Sequence, residues 1–298
     1  MPDTRPILKW AGGKRQLLPR LRPYYPRTFD RYAEPFLGSG AVFLDLHNNG
    51  ALDGRQVSLS DINADIIGCY TAVRDRVDAV IAALHELESQ YRGRGVAHFY
   101  EVRDGQFNPA RREAGGAAYT PEMAAMLIFL NRTGYNGLFR VNARGEFNVP
   151  AGRHARPRIC DEPNLRRVSQ ALQRPRLSLA VMPFADALAN AGKGDFVYLD
   201  PPYVPLTNTA RFTSYTAGGF GAAEQEALQQ HVLAIASRGA MVLLSNSSSP
   251  DVRRLYATDE GARAVGLRAT TVPARRAINS RASGRGPIRE YLITNIGG

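Results

Sequence analysis

The residues best suited to chemistry in this chain are Asp200, Pro201, Pro202 and Tyr203, which directly follow the apolar run Phe196–Leu199. A short apolar run closed by a turn signal reads as a buried strand, so the quartet sits at a strand's carboxyl end. There a carboxylate and a stiffened backbone carbonyl could face one planar amino group. Such a nitrogen is a poor nucleophile because its lone pair is delocalised into the conjugated system. Acceptors aimed at its two N–H bonds favour the more tetrahedral form that can attack. Asp200 supplies one acceptor and the carbonyl of Pro201 another, with prolines holding the turn. Tyr203 offers a ring on which a flat substrate could stack. The alternative is a proline-rich turn whose tyrosine merely packs.

A second constellation is Glu34-Pro-Phe-Leu-Gly-Ser-Gly40, between a predicted strand and a predicted helix over Ala41–Leu46. Gly38 and Gly40 permit a sharp turn and close approach to a ligand beside Phe36. About twenty residues on, Asp61 ends the run Val57–Ser60, a position suited to bonding ribose hydroxyls. Asp61 would serve equally as an N-cap of the next helix. Near the start, Lys9-Trp-Ala-Gly-Gly-Lys14 joins a flat indole, two glycines and two cations. On residue types alone, it is either a phosphate-contacting turn or a core tryptophan.

The elements that must position these residues alternate. Strands are predicted over Tyr32–Phe36, Val57–Ser60, Leu177–Met182, Phe196–Leu199, Met241–Ser245 and Tyr291–Asn295. Between them a helical face runs from Ile66 through Tyr70, Val73, Val77, Val80, Ile81 and Leu84 to Leu87. Another helix begins at the N-cap Thr120-Pro121, and a third spans about Ala222 to Ser237. Alternation of this kind predicts a mainly parallel sheet covered on both faces, with ligands beyond the strands' carboxyl ends. The loops Glu34–Gly40, Ser60–Asn63, Asp200–Tyr203 and Ser245–Ser249 therefore matter most. Residues from about 66 to 160 fit the rhythm poorly and read as an insertion.

The 298-residue chain carries 38 lysines and arginines against 27 acids, a net +11, so a polyanion is the expected partner. The surplus is concentrated. Ten arginines lie from Arg132 to Arg176 against Glu146, Asp161 and Glu162, and seven from Arg263 to Arg289 with no acid between. Cys69 and Cys160 match no CxxC pattern, which suggests a reducing compartment. MPDTRPILKW lacks the apolar core of a signal peptide. The aliphatic stretch MAAMLIFL is too short for a bilayer, which takes about 20 residues. A cytoplasmic, nucleoid-associated protein is expected, with no membrane partner, and a monomer is compatible with the chain. His47, His85, His98, His154 and His231 lack ligand spacing, so no metal is expected.

Taken in order, KWAGGK, EPFLGSG, SDIN and DPPY resemble the Dam-type adenine-N6 DNA methyltransferases of the alpha group, the D12 class. Asn131–Arg140, Gly145–Pro150 and Tyr198–Thr216, with its Ala210-Arg-Phe-Thr213, are similar to the same family. Residues 85–120 and 247–287 match loosely, and Thr133 and Phe139 stand where many relatives carry other residues. The resemblance implies a seven-stranded Rossmann-like α/β sheet, with S-adenosylmethionine as methyl donor. It implies a catalytic domain of 1–65 and 161–298, and a helical and hairpin target-recognition domain of 66–160. Trp10, Lys14, Phe36, Gly38, Gly40, Asp61 and Asp200 would line the cofactor site. Asp200, Pro201, Pro202 and Tyr203 would hold an adenine flipped out of duplex DNA. Tyr135, Asn136, Leu138 and Arg140 would lie on a hairpin entering the DNA, with Lys9, Pro150 and Arg153 nearby. A tip resembling that of relatives acting on GATC implies GATC as the target. The alternatives are an amino-group methyltransferase acting on RNA, or a non-catalytic DNA-binding relative.

Overall fold

The computed structural model describes residues 3–10, 12–114, 119–153, 156–203, 220–275 and 287–297. The chain divides into two compact units. One comprises Met1–Gly13, Gly38–Asn49 and Asn63–Pro175; the other comprises Lys14–Leu37, Gly50–Ile62 and Arg176–Gly298. The first of these is wider than residues 66–160, because it includes the chain start and the helix after the glycine-rich loop. The stretch Ala210–Thr213 lies outside the described residues, as does His154.

The second unit carries the sheet. Its strands are β1 (Arg31–Glu34), β2 (Gln56–Asp61), β3 (Leu177–Val181), β4 (Asp195–Leu199), β5 (Met241–Ser247), β6 (Arg268–Arg275) and β7 (Pro287–Thr294). They lie in the order β3-β2-β1-β4-β5-β7-β6. Strands β1 to β5 pair in parallel, while β7 runs antiparallel to both β5 and β6. All five residues of β4 are buried, as a central strand covered on both faces requires. On one face Phe196 packs against Tyr25, Phe29 and Tyr32. On the other, Val197, Leu199, Val242 and Leu244 meet Leu228, Val232 and Ile235 of the helix Ala222–Ser237. Each such aliphatic side chain contributes about 1.5–3 kcal/mol by leaving water. Six strands stand where the apolar runs predict them. Strand β6 went unread because Arg268, Pro273 and Arg275 break the strand pattern; its pairing with β7 supplies what the sequence pattern lacks.

Strand order reverses at β1, which lies between β2 and β4. Strands β1 and β4 are in register from Arg31↔Asp195 to Ala33↔Val197. Their carboxyl ends therefore release the segments after Glu34 and after Leu199 side by side, at the kind of crevice where open α/β sheets bind ligands.

The first unit is helical. The periodic face read across 66–87 belongs to two helices, Ala64–Asp75 and Val77–Arg94, broken at Arg76 (φ −138°, ψ 41°). Asn63 caps the first, its side chain accepting from the N–H groups of Asp65 and Ile66 at 2.9 and 3.4 Å. Capping therefore falls to Asn63 rather than Asp61, which is the last residue of β2. Thr120 caps the helix Pro121–Thr133, accepting from the Met123 N–H at 3.2 Å.

Candidate active site and nucleic-acid interface

In the sheet-bearing unit, Asp200 leaves β4 into an ordered set of partners. Lys14 Nζ lies 2.7 Å from Asp200 Oδ1, and the Ser245 hydroxyl donates to the same oxygen at 3.0 Å. Behind Ser245 the Tyr198 hydroxyl meets its Oγ at 3.0 Å. Both contacts fall on Oδ1, and Oδ2 has no partner among the described residues. Burial pushes the Asp200 carboxyl above the ordinary carboxylate range, while Lys14 and the Ser245 hydrogen bond pull it partly back. Lys14 is buried although it is a lysine, and its ion pair with Asp200 accounts for that placement.

The turn itself is anchored from below. Gln225, fully buried, donates from Nε2 to the Pro202 carbonyl at 3.1 Å and accepts from Asn246 Nδ2 at 3.0 Å. Neither proline has an N–H to give, so this side-chain bond locates the loop. The Tyr203 hydroxyl donates to Glu290 on β7 at 2.9 Å, and Lys14 Nζ sits 4.7 Å from its ring centroid. Burial, with Asp200 and Glu290 nearby, pushes the Tyr203 phenol well above its ordinary range, so it stays a donor. Residue spacing pointed to neither Gln225 nor Glu290. Ser245 and Asn246 lay within a strand-end segment that the sequence marks, though with no role.

We expect Gln225→Leu to strand the Pro202 carbonyl and the Asn246 amide, each at a cost of about 1–3 kcal/mol. Denaturant titration should show the loss, together with a fall in kcat. Unchanged stability and turnover would remove Gln225 from the positioning of this loop.

Near the same strand ends, Phe36 packs on Phe184 and Phe220 at ring separations of 5.5 and 5.8 Å. Asp61 closes β2, its carbonyl accepting from the Met182 N–H at 3.1 Å.

The helical unit holds the other motif residues. Gly38 and Gly40 both have positive φ, 48° and 62°. A Cβ on Gly38 would lie 3.0 Å from Trp10 Cδ1, so the indole packs where only glycine fits. The Ser39 carbonyl accepts from the Tyr70 hydroxyl at 2.7 Å. Trp10 also packs against Phe139 at a ring separation of 5.5 Å, and Phe139 against Phe147 at 5.7 Å, both pairs tilted. Trp10 is thus a packing residue between the glycine-rich loop and the arginine-rich segment.

Asn131 ties that segment to the chain start. Its amide pairs with both backbone groups of Lys9, at 2.7 and 2.8 Å, and donates to the Gly137 carbonyl at 2.9 Å. Tyr135–Leu138 is a tight turn with positive φ at Asn136 (55°) and Gly137 (63°), the Leu138 N–H donating to the Tyr135 carbonyl. That is the type I′ geometry Asn-Gly favours. The hairpin tip, however, is elsewhere. Antiparallel pairing joins Val141 to Phe147 and Gly134 to Ala151, so the reversal lies at Asn142–Glu146. The Asn-Gly turn is tucked inward because Gly137 abuts Lys9, whose Cδ would lie 2.5 Å from an added Cβ.

Tyr135, Pro150, Arg153 and Lys9 are exposed; Asn136, Leu138 and Arg140 are partly so. Arg140 is held by Asn148, whose side-chain and backbone oxygens accept from Nε and Nη2 at 2.7 and 3.2 Å. Burial, then Arg132, holds the Lys9 ammonium below the usual lysine range.

Among the described residues no cluster of His, Cys, Asp and Glu is arranged to hold a metal, and no helix is long and apolar enough to cross a membrane.

A family profile described as D12 class N6 adenine-specific DNA methyltransferase matches residues 10–270. The chain belongs to this family. The Type II methyltransferase M.MjaIII of Methanocaldococcus jannaschii is 37% identical over 304 residues, covering 98% of this chain and 99% of that one. Type II methyltransferase M1.LlaDCHI of Lactococcus lactis subsp. cremoris is 34% identical over 300 residues, covering 99% and 96%. The DNA adenine methylase of Escherichia coli (strain K12) is 34% identical over 296 residues, covering 98% and 95%. As a D12 class enzyme the protein methylates adenine N6 in DNA, and its family implies S-adenosylmethionine as the methyl donor. The DPPY turn therefore belongs to a DNA-modifying enzyme rather than to a protein that only binds.

Proposed function

We propose that this D12 class enzyme acts on an adenine flipped from duplex DNA, within the sequence GATC, and that Asp200 is its central catalytic residue. The observation that carries the chemistry is the one-sided anchoring of Asp200: Lys14 and Ser245 both engage Oδ1, and Oδ2 is left to accept an N–H of the substrate. The carbonyl of Pro201 is the second acceptor, with Pro202 held by Gln225. Tyr203 supplies a stacking face, the one opposite Lys14. Extrusion of the base costs a few kcal/mol, offset by stacking and by these bonds.

The bound donor supplies a methyl group already activated by a sulfonium. Asp200 Oδ2 and the Pro201 carbonyl would hold N6 toward that methyl by its two N–H bonds, and the surplus amino proton would leave N6 by way of the Asp200 carboxylate to solvent. Asp200 stabilises the charge developing on nitrogen. Trp10, Lys14, Phe36, Gly38, Gly40, Asp61 and Asp200 are the proposed cofactor residues. The fit is supported by the backbone at Gly38, whose positive φ and packing under Trp10 leave a loop closed to side chains.

Residues 66–160 are assigned to target recognition, with Lys9, Tyr135, Asn136, Leu138, Arg140, Pro150 and Arg153 toward the DNA. An amide fork suits adenine and a guanidinium suits guanine, each through paired hydrogen bonds in the major groove. GATC itself is supported by the resemblance of Tyr135–Arg140 to relatives that modify that site. The same reading has the enzyme acting as a monomer on chromosomal DNA in the cytoplasm.

If Arg140 reads a guanine, Arg140→Ala should cost ~1–3 kcal/mol and relax preference at one base position. Arg153→Ala should instead weaken all sequences alike and flatten the salt dependence. Modification-aware sequencing of a plasmid methylated in vitro tests the target. N6-methyladenine spread over sites unrelated to GATC would discard that assignment and leave the chemistry standing.

A further inference from the structure

Every backbone N–H and C=O withdrawn from water needs a partner, and the returning limb of the hairpin meets that demand in two different ways. Along an extended limb these groups point alternately to opposite edges. Even-numbered residues face the outgoing chain. The Glu146 carbonyl accepts from Asn142 at 2.9 Å, Asn148 donates to Arg140 at 3.1 Å, the Pro150 carbonyl accepts from Tyr135 at 2.9 Å, and Gly152 donates to Thr133 at 2.8 Å. The carbonyls of Gly145, Phe147 and Val149 face side chains instead. Arg111 donates to the Gly145 carbonyl at 2.5 Å and Arg103 to the Val149 carbonyl at 3.0 Å. Between them Asn108 forks onto Phe147, donating to its carbonyl at 3.0 Å and accepting from its N–H at 2.8 Å.

These three side chains come from one helical run, Glu101–Phe107 followed by Asn108–Ala114. The first stretch is π-helical. In an α-helix Arg103 would share its face with Phe107. The wider π turn, with its i→i+5 spacing, brings Asn108 above Arg103 instead, and Arg111 follows on the next turn. Phe107 is buried and packs edge-on against Phe147 at 5.9 Å. Arg111 is fixed from behind by Asp65, which accepts from Nε and Nη2 at 2.8 Å each.

We infer that Asn108, supported by Arg103 and Arg111, is a positioning residue for target recognition: these side chains take the place of a neighbouring strand and lock the register of residues 145–149. Register matters because a slip of one residue turns every side chain on a limb to the opposite face. The paired outgoing limb carries Arg140, itself held by Asn148, so the lock fixes where that guanidinium is presented. The inference rests on the reading that this hairpin faces DNA.

Asn108→Ala removes the fork; Asn108→Asp keeps its volume and its acceptor but turns a carboxylate oxygen toward the Phe147 carbonyl, and thermal melts of both variants separate lost positioning from a simple folding defect. Both variants are compared with the full-length enzyme on a GATC duplex and on duplexes changed at one base. For Asn108→Ala, discrimination in kcat/KM should fall at least about tenfold, with most of the loss in KM for DNA. Asn108→Asp should lose at least as much. The dissociation constant for S-adenosylmethionine, measured by calorimetry, should stay within about twofold of wild type in both. Peptides covering residues 141–150 should exchange amide hydrogens faster. Unchanged discrimination and exchange would overturn the proposal, as would an equal loss of cofactor and DNA affinity. Tyr135→Ala, run in parallel, separates the two readings. If it weakens DNA binding while the Asn108 variants do not, the positioning role alone falls. If neither site affects DNA binding, the hairpin does not face DNA and both readings fall together.

Discussion

Asp200→Ala is expected to lower methyl transfer by about 10²–10³-fold or more, the range seen when one preorganised group at a reacting centre is removed. The reason is geometric. Asp200 is held by Lys14 and Ser245 on one oxygen and leaves the other for the substrate. Duplex binding should survive, since the hairpin side chains assigned to DNA are untouched. Lys14 loses its buried counter-charge, so some thermal destabilisation should accompany the change. The measurement is single-turnover transfer of labelled methyl to duplex DNA, followed by nucleoside digestion. Turnover near that of the wild type would sink the catalytic assignment.

The same carboxyl makes a pH prediction. The ionised form is the acceptor, and burial raises the Asp200 pKa despite Lys14 and Ser245. The rate should therefore fall on acidification through a pKa above that of an ordinary aspartate, and be restored as pH rises through it. Lys14→Met removes a partner that favours the charged form, so the acid limb should move to higher pH still. An acid limb that stays in place would show that another group sets it.

Asp61→Ala is expected to raise the dissociation constant for S-adenosylmethionine by about 10–100-fold, the loss of one charge-assisted hydrogen bond being worth about 1.5–3 kcal/mol. DNA affinity should hardly change. The sequence leaves two roles open for this residue, and the helix cap it could have formed is made by Asn63. Calorimetric titration with the cofactor decides the matter: an unchanged constant would remove Asp61 from the cofactor site.

The parts of this enzyme that were legible in the sequence are those that depend on neighbours in the chain. Apolar runs predict strands because a sheet covered on both faces tolerates little else, and six of seven strands stand where such runs lie, although the edge strand β3 has no buried residue. DPPY could be placed at a strand end because the run before it is uninterrupted. Asn136-Gly137 predicted positive φ because few other residue pairs adopt it cheaply, and the turn is there.

The rest depended on partners distant in sequence. Strand β6 exists because β7 pairs with it along eight residues, and no local pattern announces that. Ser245, Glu290, Gln225 and Asn246 are ordinary polar residues until the sheet and its covering helix bring them to Asp200, Tyr203 and Pro202. The hairpin and the turn before it show the division most sharply. Their turn chemistry and their arginines are plain in the sequence, but the reversal falls at Asn142–Glu146. The choice is made by Asn131 holding Lys9 and Gly137, and by Asn108 holding Phe147. By itself, then, the sequence determined the mainly parallel sheet, the DPPY turn at a strand's carboxyl end and the excess of basic charge, because propensity, periodicity and charge are local properties. Only the tertiary structure decided which oxygen of Asp200 is engaged by Lys14 and Ser245 and which reversal becomes the hairpin tip. Those choices rest on single hydrogen bonds between groups that only the folded chain brings within 3 Å of one another.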